Sequence, residues 1–248
     1  MPPLFLWYSL CMSTYLELQN RVLTRLIDVP TAVTAEVPTL VNNALSELQT
    51  RHNFLIMRET FETGTTIATR ALVDAVPADW KTWRKRPYVK ERYGSISWLK
   101  VAENIEDAEG YYGHDNTIDL GSPKAIGIDD PAEDGSSTFL IYPYPDGNAL
   151  WGDGEYDIII PYWKYVTPLS ANGDENWFTN NVHCEWFIVN YAVAEGFRLN
   201  WDFQKAEAYD VLAEAAYQKA RVLDKMKVLG GMTTLVPHMG AEEPAFKE

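Results

Sequence analysis

The sequence predicts an α+β fold: a four-helix bundle built from the N- and C-terminal helices, an inserted β-rich domain of sandwich or barrel-like form, and an extended C-terminal tail. Three observations predict it. Apolar residues recur at helical spacing over 12–53, β-branched and aromatic runs broken by Pro, Gly and acidic turns fill 54–173, and helical spacing returns over 174–230. At 248 residues the chain is long enough to bury a substantial core, as one domain with a large insertion or as two.

Residues 1–11, MPPLFLWYSLC, are apolar but lack the basic start and small-residue cleavage site of a signal peptide and the length of a membrane span. Met12 opens the next segment. Residues 1–11 therefore read as an upstream-start segment or as an N-terminal arm docking on a neighbour. From Ser13, the spacing of Tyr15, Leu18, Val22 and Leu26 predicts a helix capped by Ser13 or Thr14 and ended by Pro30. A second helix is expected from about Thr34, with Pro38 in its first turn and Val37, Leu40, Val41, Ala44, Leu45 and Leu48 on one face. The two form a helical hairpin.

Strands are expected from Phe54, at Arg70 to Val76 before Pro77, through Tyr88 to Val101, and at Ala125 to Ile128, Ser137 to Tyr142 and Tyr156 to Tyr165. Asp146-Gly147 is turn chemistry. The acidic stretches around Glu106 and Asp130 hold too few apolar residues to pack and read as exposed loops. Asp174 or Asn176 is the expected cap of a helix running to about Asn200. Its apolar residues, Val182, Trp186, Phe187, Val189, Tyr191, Val193 and Phe197, occupy nearly every face, as in a central strut. The last helix, about Phe203 to Leu229, packs through Ala206, Tyr209, Ala213, Ala216, Ala220, Leu223 and Met226. Gly230-Gly231 ends it, leaving 231–248 as a tail without periodicity.

The chemistry-bearing residues are sparse. His52, His114, His183 and His238 are scattered, and Cys11 and Cys184 make neither a disulfide framework nor a metal spacing, as suits a reducing cytoplasm. The glycines have neither Rossmann nor P-loop spacing, and the paired carboxylates Asp129-Asp130 and Glu242-Glu243 lie in loop or tail composition. The sequence indicates no catalytic residue, cofactor or metal. A formal net charge of -14 argues against a general nucleic-acid-gripping surface. One basic cluster, Trp80 to Arg86 and on to Tyr93, interleaves cations with aromatics. Its Trp83, Arg84, Lys85, Arg86 and Tyr88 are candidate contacts with an acidic neighbouring subunit or partner, ahead of single-stranded nucleic acid. The same cluster also reads as a solvated strand whose rings cover the β core.

Several short motifs follow one another in a telling order: STYLELQNRV from Ser13, YPYPD at 142–146, PYW at 161–163, PLS at 168–170 and DENWFTNN at 174–181. In this order the sequence resembles the head-to-tail adaptor (head completion, neck connector) proteins of tailed phages, over about Ser13 to Leu229. The resemblance implies a structural virion protein in the neck, assembled in the host cytoplasm. It implies a homo-oligomeric ring, usually twelvefold, beneath the portal protein, meeting tail, nozzle or tail-terminator proteins at its other end and passing genomic double-stranded DNA without reading its sequence. It also implies that the C-terminal tail reaches the portal, where Met232, Leu235, Val236, Pro237 and Phe246 are the side chains able to fill pockets. The alternative is a carbohydrate-binding module or other host-recognition protein, since nine tryptophans and fourteen tyrosines could stack sugars if exposed.

Overall fold

The structure is a computed structural model that describes residues 13–66, 69, 71–90, 96–102, 120–129, 137–146 and 156–228. The fold is α+β, with five α-helices and two sheets among the described residues. The chain divides into a helical unit, Met1–Leu55 with Pro168–Glu248, and a β unit, Ile56–Thr167. The acidic stretches around Glu106 and Asp130 and the tail 231–248 lie outside the described residues.

In the helical unit, α1 (Tyr15–Leu23) starts in a capping box. Thr14 Oγ1 accepts the Glu17 N–H at 3.3 Å and Glu17 Oε2 accepts the Thr14 N–H at 3.1 Å. The helix stops well before Pro30: the Thr24 hydroxyl donates to the Arg21 carbonyl, and Asp28 takes a left-handed backbone, φ 63°. The expected second helix is two. α2 (Thr31–Ala35) ends at Glu36, and α3 (Val37–Arg51) starts afresh with Pro38 in its first turn. The proline ring would clash with the Thr34 carbonyl in one continuous helix, which is the physical reason for the break.

The chain re-enters the unit at Pro168, and Asn42 of α3 holds the next residue, Leu169. The Asn42 amide donates to the Leu169 carbonyl at 2.9 Å while its Oδ1 accepts the Leu169 N–H at 2.9 Å. Asp174 and Asn176, the expected caps of the next helix, instead shape turns. Asp174 Oδ2 accepts the N–H groups of Ser170 and Ala171, and Asn176 Oδ1 those of Phe178 and Thr179. α4 (Val182–Leu199) begins later, capped by Asn181, whose Oδ1 accepts from His183 and Cys184. Helices α1 and α3 and the long α5 (Phe203–Val228) all pack on α4. Glu185 of α4 is buried and paired with Arg21, and Arg25 donates to Asn190 at 2.6 Å. The α4–α5 contact is lined by Ala206, Ala213, Ala216 and Ala220, with Phe197 stacked on Tyr209 and Phe187 tilted on Tyr217. Leu223 and Met226, expected on that stripe, are exposed, as are Val182 and Trp186 of α4.

In the β unit, β1 (Arg58–Thr63), β2 (Ala71–Ala75), β3 (Trp80–Trp83), β4 (Tyr88–Lys90), β5 (Ile96–Trp98), β6 (Lys100–Val101), β7 (Ala125–Ile128), β8 (Thr138–Tyr142) and β9 (Asp157–Lys164) form two sheets. One has the order β1-β9-β4-β5 with β3 also on β9, the other β2-β8-β7-β6. β9 is the hub: β1 pairs antiparallel along one edge, while β4 and then β3 share the other. Pro161 falls where β4 pairing, ending at Ile159, gives way to β3 pairing from Tyr162, so its missing N–H breaks no ladder there. Its carbonyl accepts the Arg84 N–H at 3.0 Å. Val89, Ile158 and Ile160 of the first sheet share one core cluster with Leu72, Ile126, Phe139 and Ile141 of the second.

Candidate functional site

The basic cluster folds as β3, a bend, and β4, laid one after the other along the same edge of β9, and this arrangement separates its two kinds of side chain. Trp80 stacks on Tyr162 with centroids 4.9 Å apart, meets Trp83 edge-on at 4.8 Å, and contacts Phe139 at 5.2 Å. Trp83 contacts Phe139 at 5.8 Å. Both tryptophans thus cover the β core. Tyr88 is half-buried against Trp98. Lys85 and Arg86 at the bend are exposed, and Arg84 is half-buried with its N–H tied to Pro161.

Around this segment the charges are largely answered from within the unit. Lys164 donates to Glu59 at 2.8 Å, which lowers the Glu59 pKa and raises that of Lys164. Arg58 lies over the Trp163 ring at 5.5 Å. Lys81 lies 5.7 Å from the Tyr165 ring centroid, and burial lowers its pKa. The Tyr162 hydroxyl donates to Asp79 at 2.9 Å, and burial, then this bond, raises its pKa. Lys85 and Arg86 form no ion pair among the described residues.

The tail residues Met232, Leu235, Val236, Pro237 and Phe246 lie outside the described residues. Among the described residues no group of His, Cys, Asp and Glu could hold a metal ion, and no helix is long and apolar enough to cross a membrane. Sequence periodicity missed two surfaces on the helical unit. One is the elbow between α4 and α5, where Trp201 is 81% exposed and meets Phe203 edge-on. The other is the outward side of α5, with Val211, Leu212, Val222, Leu223 and Met226 exposed. Among the described residues the most exposed tryptophans are Trp98 in the β unit and, in the helical unit, Trp186 and Trp201 near opposite ends of α4.

The described residues thus expose a cationic bend in the β unit and large apolar side chains in the helical unit. The sequence matches the family described as SU10 adaptor protein over residues 13–235, nearly the whole chain, and the protein belongs to this phage head-to-tail adaptor family. It is accordingly a structural component of a phage virion that contacts other head and tail proteins. No curated protein matches the sequence.

Proposed function

We propose that this protein forms a ring, twelvefold to match the portal, that sits beneath the portal protein and joins the capsid to tail, nozzle or tail-terminator proteins. The observation that carries the reading is the family match across residues 13–235. The exposed apolar faces of the helical unit support it, because large uncovered apolar side chains mark interaction sites. In this reading the first and last helices act as a four-helix bundle facing the portal, and residues 231–248 extend to it through Met232, Leu235, Val236, Pro237 and Phe246. Lys85 and Arg86 pair with acidic surface on the next subunit or on the portal. Twelve tails engaging twelve portal subunits bind multivalently, so a weak single contact suffices. A net charge of -14 per subunit also suits the wall of a DNA conduit, since like charge keeps the duplex from adhering.

Light scattering and negative-stain imaging of the purified protein, alone and mixed with its portal, test this. A ring formed alone or on the portal supports it. A monomer that ignores the portal overturns it.

A further inference from the structure

Helix α5 carries two apolar seams. The first, Ala206, Tyr209, Ala213, Ala216 and Ala220, is the one that α4 covers. The second, on the side turned from α4, is Ala208, Leu212, Ala215, Lys219, Val222 and Met226, with Val211 and Leu223 flanking it, and every one of these residues is exposed. Its steps are four, three, four, three, four. That spacing keeps a stripe facing a partner helix along its whole length, and a surface helix that meets only water has no need of it. Leu212, Val222 and Met226 are each about half exposed, which costs solvation unless something covers them.

We propose that a helix of a second copy of this chain occupies this seam; the inference rests on the ring reading above and names its subunit contact. Two features select the occupant. Lys219 is the one charge on the seam, and it has no ion-pair partner among the described residues. A single lysine at a seam position fixes register between helices, and it finds its counter-charge on an acidic neighbour. A second copy, at net charge -14, is such a neighbour, whereas a nucleic acid would meet a mainly apolar strip. The second feature is size. The seam is about 27 Å long on a helix about 10 Å across, a footprint of about 270 Å². Stable interfaces bury about 800 Å² per partner. The occupant must therefore reach beyond the seam onto flanking surface, as a folded copy does and a short segment does not.

The test compares the wild-type full chain with the double variant Leu212→Asp, Val222→Asp by mass photometry, alone and with the portal, after circular dichroism has confirmed equal helix content at the assay temperature. The expected result is a wild-type ring and a monomeric variant. A variant ring of wild-type mass overturns this inference and leaves the ring reading standing. A wild-type chain that never assembles overturns both. If the chain's own C-terminal segment covers the seam, the double variant melts earlier yet still assembles, which also overturns the inference. Lys219→Glu, which removes the register-setting cation, is expected to lower the assembled fraction at a fixed concentration at least tenfold, and an unchanged fraction counts against the seam.

Discussion

Asp224 Oδ1 accepts the backbone N–H of Leu55 at 3.0 Å, across 169 residues of sequence. The other carboxylate oxygen lies 3.3 Å from His52 Nε2, and the carboxylate itself is buried. The last turns of α5 are thereby fastened to the segment following α3. Asp224→Ala leaves the part-buried Leu55 N–H without its acceptor and is expected to cost about 1 kcal/mol in urea unfolding. Asp224→Asn keeps an oxygen for the Leu55 N–H and should lose less. Equal losses for the two would assign the effect to the charge.

Trp201 occupies the position after a helix end that glycine usually takes. The Asp202 N–H reaches back to the Phe197 carbonyl at 2.9 Å and the Trp201 N–H to the Arg198 carbonyl at 3.0 Å, with Trp201 at φ 61°. A left-handed backbone costs a residue with a Cβ about 1 kcal/mol. Trp201→Gly should therefore raise stability by about 1 kcal/mol in chemical denaturation, while Trp201→Ala, still strained, should not.

Gly196 of α4 faces Leu26, and a Cβ there would stand 2.8 Å from Leu26 Cδ2. Alanine in a helix interior gains about 1 kcal/mol over glycine, but Leu26 is buried and must yield to make room. A double-mutant cycle separates the two effects. Gly196→Ala is expected to be neutral or destabilising in the wild type and stabilising by about 1 kcal/mol in a Leu26→Ala background. Additive behaviour would contradict the contact.

The N–H of Ala171, then the N–H and hydroxyl of Ser170, hold the Asp174 carboxyl below its ordinary value of 3.8. A carboxyl with a depressed folded pKa binds fewer protons folded than unfolded. Its stabilisation is present above the unfolded value and is lost as pH falls through the depressed one. Asp174→Asn, which cannot titrate, should flatten stability against pH in that acid window and leave the dependence near neutrality unchanged. Parallel curves for wild type and variant would show that the turn is not linked to this proton.

Deleting residues from Gly231 onward removes neither apolar seam of α5. The truncated chain should unfold at the wild-type urea concentration yet fail to attach to the portal. Truncated protein retained in the necks of virions would show that the tail is not the portal anchor.

Much of this was legible in the sequence because the deciding interactions are local. Ser13-Thr14 ahead of an apolar period marked the start of α1, and β-branched runs bounded by turn residues placed β7 at Ala125–Ile128 and brought β8 and β9 to within a residue at each end. Near α4 the sequence offers Asp174, Asn176 and Asn181 within eight positions. All three cap a turn, and only the third opens the helix, a choice set by packing rather than by side-chain chemistry. β3 was legible only as one reading of the basic cluster, because what holds it is long-range pairing with β9. On α5 the period revealed the alanine face, but it could not tell which side α4 would cover and which would stay open.

The helical unit is assembled from two stretches separated by the entire β unit, and this orders the birth of the molecule. A ribosome synthesises Lys164, the last residue of β9, before any of α4. The β sheets can close while α1 to α3 still wait, their apolar stripes uncovered, for a partner not yet emerged from the ribosome. At about 5–20 residues per second, the gap between Arg51 and the completion of α5 at Val228 lasts on the order of ten seconds. For that interval the nascent N-terminal helices are the stretch most open to chaperones and to premature association, and their safe passage depends on how quickly translation reaches the final helix.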